Sequence, residues 1–278
     1  MGKGMIDNPA LADLQKVFPL QNTKGMPNGL SIDGGDSGCL FIDGWDAPRI
    51  ADVILPLRIP ASIPESWPRY PEHESRKDTE RRFRMLEPWI DKANVLDFGA
   101  GHGAFSDRIA IQSNIWEIDA GDYEKDRGLV MEEIDSGSLD LVCMFQVFEH
   151  LEGPLAMLNE AKRVLAQGGR IAIETPNARD WLLHNCEAFR EFTLTPKHLI
   201  LHSRESLRRF LEHVGFRNIK IQGIQRYGLA NHLCWLLNGK PGGHADWLEW
   251  IDDDLDRHYA ARLAALDATD TLWAVAEK

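Results

Sequence analysis

The sequence predicts an α/β fold in which helices cover both faces of a mostly parallel sheet. From about residue 80, short apolar strands alternate with amphipathic helical segments. Five such strands are predicted along the chain, followed by a sixth at its end: NVLDFG, NIWEID, LDLVCMF, GGRIAIETP, NIKIQGI and TLWAVAEK. Apolar strands separated by helices are typical of a sheet that is buried on both sides.

Two helices between these strands have clear boundary signals. In PLAMLNEAKRVLAQGG, Pro154 suits a first helical turn and Gly168 is the predicted stop. In SRESLRRFLEHVGF, Ser203 is the predicted N-cap and Gly215 the predicted end. Another helix is predicted before the first strand of the alternation, where Phe83, Leu86 and Ile90 recur at helical spacing.

Composition excludes several classes of protein. The 278 residues carry a formal net charge of −12, which disfavours a nucleic-acid partner because phosphate binding depends on Lys and Arg. No apolar run approaches eighteen residues and the N-terminus lacks the order of a signal peptide, so we expect no membrane association. Four cysteines have no metal-binding or disulfide spacing, which favours a reduced, cytoplasmic protein: Cys39, Cys143, Cys186 and Cys234.

A glycine-rich turn follows the first strand of the alternation, in VLDFGAGHGAFS. Gly99, Gly101 and Gly103 recur at every second residue, which permits a tight turn and a close approach of the backbone to a ligand. Asp119, at the end of the next strand, is placed to accept the hydroxyls of a ribose. A glycine turn that binds nothing is the alternative, and the acid after the second strand weakens it.

Four segments in order carry a family resemblance. The loop reads D-x-G-x-G-x-G from Asp97 and not the dinucleotide pattern G-x-G-x-x-G. VLDFGAGHG, SLDLVCMFQVFEHL, RVLAQGGRIAIETP and TLWAVAEK together resemble class I S-adenosylmethionine-dependent methyltransferases, from about residue 80 to the end. The resemblance implies a Rossmann-like, seven-stranded sheet whose last strand is antiparallel, with S-adenosylmethionine as the cofactor.

The same resemblance implies which residues contact the methionine end and the ribose of the cofactor, and which lie at the lip after the strand LDLVCMF. The residues that match the family's positions are Asp97, Gly99, Ala100, Gly101, Asp119, Phe145 and Gln146. Between Asp119 and Ser138 the chain is shorter than the family's usual helix and third strand. The residue that contacts adenine is therefore not assigned, with Glu132 and Glu133 as candidates.

FQVFEHLEG supplies a candidate base. Gln146, Glu149 and His150 stand at helical offsets and would share one face of a turn. This resembles the E-x-x-E-H element of metal-dependent ubiquinone-pathway and small-RNA methyltransferases, but Gln146 replaces the first Glu and is a weaker ligand. A divalent metal is therefore not favoured, and His150 is a candidate catalytic base. His198, in TPKHLILHS after the strand GGRIAIETP, is a second candidate; the alternative for both is a structural role.

These segments predict the domain boundaries of the chain. Residues 1–72, rich in Gly and Pro, are predicted to be an N-terminal extension that could act as a substrate lid, and residues 73–226 the methyltransferase core. Residues 227–268 are predicted to be a helical cap insertion before the final strand in 269–278. It begins with an apolar hairpin, NHLCWLLNGKPGGH, whose His232 and His244 are candidate substrate contacts, and continues as a helix through Trp247, Ile251 and Leu255.

The predicted activity is methyl transfer to a small polar acceptor, preferably a hydroxyl of a sugar or a related metabolite. A capped pocket suits a small molecule, and QRYGLANHLCWLLNGKPGGH is similar to a segment of bacterial methyltransferases of sugar-modifying clusters. N-methylation and a quinone or lipid acceptor stay open. A catalytically silent, S-adenosylmethionine-binding scaffold is the non-enzymatic alternative, and a nicotinamide-dependent oxidoreductase is disfavoured by the glycine spacing. The oligomeric state is not predicted.

Overall fold

The structure is a computed structural model, and it describes ten ranges of the chain. These are residues 5–7, 10–17, 40–42, 54–56, 58–60, 72–118, 131–194, 198–243, 246–247 and 249–278. Asp119 and His244, for which the sequence predicts binding roles, lie outside these ranges, as does Cys39.

Ten strands and nine α-helices lie in the described ranges. The strands are β1 (Met5–Asp7), β2 (Leu40–Ile42), β3 (Ile54–Pro56), β4 (Arg58–Pro60), β5 (Asn94–Phe98), β6 (Asn114–Ile118), β7 (Leu139–Phe145), β8 (Leu165–Pro176), β9 (Arg217–Ile224) and β10 (Thr271–Glu277). The helices are α1 (Leu11–Val17), α2 (Glu72–Leu86), α3 (Ala104–Ile109), α4 (Pro154–Val164), α5 (Trp181–Asn185), α6 (Glu187–Thr193), α7 (Arg204–Val214), α8 (Leu229–Asn238) and α9 (Asp253–Ala265).

The main sheet has the order β6-β5-β7-β8-β10-β9, and β1–β4 and β2–β3 form two separate pairs. Strands β5 to β8 are parallel, with Leu96 opposite Val142 and Val142 opposite Ile171. The predicted count of seven strands is wrong for the described chain, in which this sheet has six. Between Ile118 and Leu139 the described residues form a 3₁₀ helix, Met131–Glu133, and a turn, where the family places a strand.

The last strand is antiparallel, as predicted. The amide of Asn177 donates to the carbonyl of Asp270, while the amide of Lys278 donates to the carbonyl of Gly169. Along this pair of strands the residue numbers therefore decrease on β10 as they increase on β8, which is the pairing of antiparallel strands. The α/β fold with a mostly parallel sheet is thus confirmed.

Helix boundaries follow the predicted signals in part. Pro154 is the first residue of α4, and the Ser203 hydroxyl accepts a hydrogen bond from the amide of Ser206 at the start of α7. Gly215 ends α7 with a φ of +87°. The predicted stop at Gly168 is wrong, because α4 ends at Val164 and Leu165 already has extended backbone in β8.

The chain divides into two compact units. We call residues 64–174, 210–220 and 274–278 the loop unit, since they contain the glycine turn. We call residues 1–63, 175–209 and 221–273 the insertion unit. The core of the loop unit consists of the fully buried apolar residues of β5, β7 and β8, such as Leu96, Val142 and Ile171.

In the insertion unit, the apolar segment predicted as a hairpin is helix α8. Its sequence, LANHLCWLLN, has no β-branched residue, and its apolar side chains suit a helix as well as a strand. Trp235 of α8 packs on Leu182 and Cys186. The next helix was predicted to include Trp247 and Ile251, but α9 begins at Asp253, because the Asp252 carboxylate accepts the amide of Leu255 and caps it there.

Within the described residues, no helix combines the length and the apolarity that a membrane crossing would need.

Candidate functional site

The glycine turn after β5 is held against the end of β6. The amides of Gly99 and Ala100 both donate to the carbonyl of Ile118, at 2.5 and 3.3 Å. Gly99, Gly101 and Gly103 have φ values of +79°, +60° and +72°, a region that side chains other than glycine's rarely adopt. The repeated glycines therefore shape this turn, as the sequence predicts.

Two of these glycines differ in what surrounds them. A Cβ on Gly99 would lie 2.1 Å from Cγ2 of Val147, so Gly99 is required by the packing of the protein itself. A Cβ on Gly101 would meet no described atom within 4 Å. At Gly101 the missing side chain therefore leaves open space beside an exposed backbone, which is where a ligand can approach closely.

Asp97 places a buried carboxyl group directly before this turn. It is 2% exposed and accepts a hydrogen bond from the Ser106 hydroxyl at 3.0 Å. Burial raises the pKa of Asp97 to about 6, against the opposing effects of the Ser106 hydrogen bond and the charge of Arg82, while the charge of Glu117 raises it further. A carboxylate in this position favours a cationic ligand group, since it is poorly solvated.

The lip at the end of β7 consists of Phe145, the last residue of that strand, and Gln146. The Phe145 ring meets that of Phe105, from α3, edge to face at 5.0 Å between centroids. Gln146 has a φ of +58°, and its amide donates to the carbonyl of Glu174 at 2.7 Å. Its side-chain amide lies 3.4 Å from Oε1 of Glu174. Glu174 therefore holds Gln146 in a conformation that is unusual for a residue other than glycine.

Four charged residues of the loop unit were not predicted from the sequence motifs. The buried Glu174 is paired with Arg81 and Arg82 of α2. A sequence signal for this existed: a glutamate at the end of the apolar strand GGRIAIETP needs cationic partners, and the adjacent arginines of ERRF are candidates. Glu117 was also missed, and its Oε1 would lie 3.0 Å from a Cβ on Gly103.

Glu149 and His150 lie on a 3₁₀ helix, Phe148–His150, just after the lip. Glu149 is 1% exposed, and its Oε1 lies 3.8 Å from Nε2 of His150, whose side chain is 37% exposed. The prediction that Gln146 shares a helical face with this pair is wrong. Gln146 lies outside the helix, and its positive φ together with the non-helical Val147 breaks the periodicity.

His198 belongs to the insertion unit. Its Nδ1 lies 2.6 Å from the carbonyl oxygen of Thr193. A carbonyl only accepts, so Nδ1 carries a proton, and in a neutral ring Nε2 would be the acceptor. This tautomer would suit a base, and the role of His198 stays a prediction.

His232, a predicted substrate contact, is 1% exposed in α8. Its Nδ1 lies 2.7 Å from the Tyr259 hydroxyl and its Nε2 lies 3.0 Å from the side-chain nitrogen of Gln225. Both nitrogens are thus engaged within the protein, and the structure gives His232 a place in the packing of α8 and α9.

Burial lowers the pKa of His232 to about 4. In the unfolded chain the ordinary value is about 6.5, so the unfolded state binds more protons between pH 4 and pH 6.5. The stabilising contribution of neutral His232 is therefore full above pH 6.5 and is lost as the pH falls toward 4. We expect His232→Gln to flatten the pH dependence of the free energy of unfolding in this window by about 1–3 kcal/mol. Urea unfolding at pH 7.5, 6 and 5 measures it.

The exposed His258 of α9 provides the control, and His258→Gln should keep the wild-type slope. An unchanged slope in His232→Gln would show that His232 is not the buried neutral group.

A family profile shows which family the chain belongs to. A profile of the family described as a methyltransferase domain matches residues 70–221, more than half of the chain. No curated protein matches. Among solved structures, the chain is similar to an S-adenosylmethionine-dependent methyltransferase from Archaeoglobus fulgidus, at 21% identity over 73% of this chain and 94% of that one, with a TM-score of 0.48.

Two further similar structures have more specific names. One is a possible histamine N-methyltransferase from Thermotoga maritima, at 16% identity over 74% of this chain and 97% of that one, with a TM-score of 0.44. The other is phosphoethanolamine N-methyltransferase 2 from Haemonchus contortus, at 15% identity over 73% of this chain and 52% of that one, with a TM-score of 0.47.

Proposed function

We propose a specific acceptor for this chain, which belongs to the methyltransferase-domain family and is an S-adenosylmethionine-dependent methyltransferase. The proposed acceptor is a hydroxyl of a small polar molecule, such as a sugar or a related metabolite. When bound, the cofactor supplies a sulfonium methyl group whose leaving group is neutral. The protein's own work is then to bind and align the two reactants and to take up the hydroxyl proton. The observation that carries the proposal is the Glu149–His150 pair beyond β7.

The residues at the glycine turn fit this cofactor. Asp97 offers a buried carboxylate to a cationic amino group, and Gly101 leaves open space beside the backbone. We assign cofactor binding to the positions matched in the sequence, with the lip formed by Phe145 and Gln146. Asp119 stays the proposed ribose contact, although it lies outside the described residues.

His150 suits a hydroxyl acceptor because such an acceptor must lose its proton during transfer. An amine needs only to arrive deprotonated. Glu149 is almost fully buried, and its Oε1 lies 3.8 Å from Nε2 of the partly exposed His150. The pair thus places an imidazole, a side chain that can act as a general base, just beyond the lip.

The acidic balance of the chain supports a small acceptor. With a formal net charge of −12, the protein repels polyanions such as nucleic acids at long range. We propose that residues 227–268, which contain α8 and α9, form the cap of the predicted pocket, that β10 completes the core of 73–226, and that the extension of residues 1–72 is the lid.

An acceptor screen tests the proposal. Formation of S-adenosylhomocysteine would be measured with nucleotide-linked and free sugars, with primary and secondary amines, and with quinones and lipids. Turnover of a hydroxyl acceptor supports the proposal, whereas turnover of amines or quinones alone would contradict the acceptor class. Cofactor binding without turnover of any acceptor would favour a catalytically silent scaffold.

With a hydroxyl acceptor, we expect His150→Gln to lower kcat by about 10²- to 10³-fold, because the general base is lost. Its affinity for S-adenosylhomocysteine should stay within about twofold, since His150 has no proposed contact with the cofactor. Steady-state kinetics and calorimetric titration measure the two effects. His258→Gln, which replaces an exposed histidine of α9, is the matched control and should retain wild-type kcat. Normal turnover in His150→Gln would remove this residue from the reaction.

A further inference from the structure

We propose that Arg82 is a positioning residue, which organises the cofactor-binding end of the loop unit through its ion pair with Glu174 and its contact with Phe145. The inference rests on the proposed cofactor site. It concerns a residue that lies outside the glycine turn and the lip.

Arg82 and its neighbour Arg81 reach the same buried carboxylate from helix α2. Arg82 donates to Oε1 of Glu174 through Nη2 at 2.5 Å and through Nε at 3.2 Å. Arg81 donates to Oε2 through Nη1 at 2.7 Å. Glu174 is fully buried, and each arginine binds one of its carboxylate oxygens.

The ion pair extends to the lip. Oε1 of Glu174, which Arg82 contacts, also lies 3.4 Å from the side-chain nitrogen of Gln146, and the carbonyl of Glu174 accepts the amide of Gln146. The orientation of Glu174 therefore determines how Gln146 is held at its positive φ. Arg82 sets that orientation, because it binds this oxygen with two N–H groups.

Arg82 also contacts the other lip residue. Its guanidinium carbon lies 4.7 Å from the centroid of the Phe145 ring, close enough for a cation–π interaction. Phe145 in turn packs edge to face on Phe105, on the helix that follows the glycine turn. One side chain of α2 thus connects the ends of β7 and β8 with α3.

The charge of Arg82 acts on Asp97 as well. The groups that face Asp97 come from four elements: Ser106 from α3, Glu117 from β6, Cys143 from β7 and Arg82 from α2. Of these, Arg82 is the cation, and it opposes the burial and the Glu117 charge that raise the pKa of Asp97. Without Arg82, Asp97 would take up a proton at a higher pH and would lose the charge that a cationic ligand group needs.

The adjacent Arg81 offers a matched control. It is paired with the same glutamate, but its second partner is Asp78, at 2.6 Å, and the groups that shift the pKa of Asp97 do not include it. Arg81→Met and Arg82→Met both remove one arginine from Glu174 and leave the other. Only Arg82→Met removes the contact with Phe145 and the charge near Asp97.

The test is calorimetric titration with S-adenosylhomocysteine between pH 5 and pH 8.5. In the wild-type protein we expect affinity to fall as the pH drops through about 6. In Arg82→Met the midpoint should move upward by at least half a pH unit, and affinity at pH 7 should fall at least fivefold. Arg81→Met should keep the wild-type midpoint. In the unliganded proteins, carboxyl ¹³C NMR should show the same displacement for Asp97, which a role in folding alone would not produce.

Two further variants keep the test decisive if Arg82→Met does not fold. Arg82→Lys keeps the charge and should keep the midpoint near the wild-type value. The double variant Arg82→Met/Glu174→Gln leaves no unpaired buried charge and should still show the upward shift. A midpoint and an affinity equal to those of the wild type in Arg82→Met, or in the double variant, would overturn the proposal. Absence of binding by the wild-type protein at every pH would instead overturn the proposed cofactor site.

Discussion

Asp97→Asn is expected to weaken S-adenosylhomocysteine binding by about ten- to hundredfold and at the same time to stabilise the unliganded protein at neutral pH. The loss of affinity follows from removing a charged acceptor, whose hydrogen bonds contribute about 1.5–3 kcal/mol. Asparagine keeps an oxygen for the Ser106 hydroxyl, so the local packing is retained. Calorimetric titration measures the affinity, and urea unfolding measures the stability.

The gain in stability follows from the raised pKa of Asp97. Burial raises it from 3.8 to about 6, so between these values the folded protein binds more protons than the unfolded chain. Stability therefore falls as the pH rises through this window, and above pH 6 the cost of the buried charge is complete. It amounts to at most about 3 kcal/mol. The difference between the variant and the wild type should be largest near pH 7.5 and should vanish below pH 4.

The exposed Asp107 on α3 provides a control near the same turn, and Asp107→Asn should leave both quantities within the error of measurement. Asp97→Asn with wild-type affinity would show that the carboxylate does not face the cofactor. A variant less stable than the wild type at pH 7.5 would show that the ionised carboxylate is well compensated in the unliganded protein.

Comparing Gly101→Ala with Gly137→Ala should distinguish a loss of space for the cofactor from the strain that alanine adds to the backbone. Gly101 and Gly137 have similar positive φ values, +60° and +72°, and a Cβ at either position meets no described atom within 4 Å. Each alanine variant should lose about 1–2 kcal/mol of stability, because alanine is strained in this backbone region. Only Gly101→Ala should lose affinity for S-adenosylhomocysteine, by at least tenfold, since its methyl group occupies space proposed for the cofactor.

Urea unfolding measures the stability of both variants, and calorimetric titration measures their affinity for S-adenosylhomocysteine. Equal affinities in Gly101→Ala and Gly137→Ala would place the cofactor away from this part of the turn. Gly99→Ala is not informative in the same way, because its methyl group would collide with Val147 within the protein.

The elements that the sequence predicts well are those encoded by local pattern. The strand that ends at Phe98, the glycine turn and the cap of α7 at Ser203 each depend on neighbouring residues, and all three are found. Helix α8 was predicted as a hairpin because a short apolar run does not distinguish a helix from a strand. Its partners in the insertion unit decide the outcome, as the packing of Trp235 on Leu182 shows.

The geometry of the candidate site was predictable as far as its sequence motifs extend, while its binding role stays a prediction. Asp97 and the glycines follow from the D-x-G-x-G-x-G pattern, but the Arg82–Glu174 pair joins residues that are 92 positions apart. No local pattern encodes such a contact, although the buried glutamate alone predicts that a cation must be near. The prediction that Gln146 shares a helical face with Glu149 and His150 failed because Gln146 has a positive φ, which nothing in FQVFEHL indicates.

Titration of the full chain with S-adenosylhomocysteine at pH 7.5 tests most directly whether the glycine turn after β5 binds the cofactor. We expect one equivalent to bind with a dissociation constant in the micromolar range or below, and we expect this binding to be lost in large part in Gly101→Ala and retained in Gly137→Ala. Failure of the folded wild-type protein to bind S-adenosylhomocysteine would contradict cofactor binding at this turn.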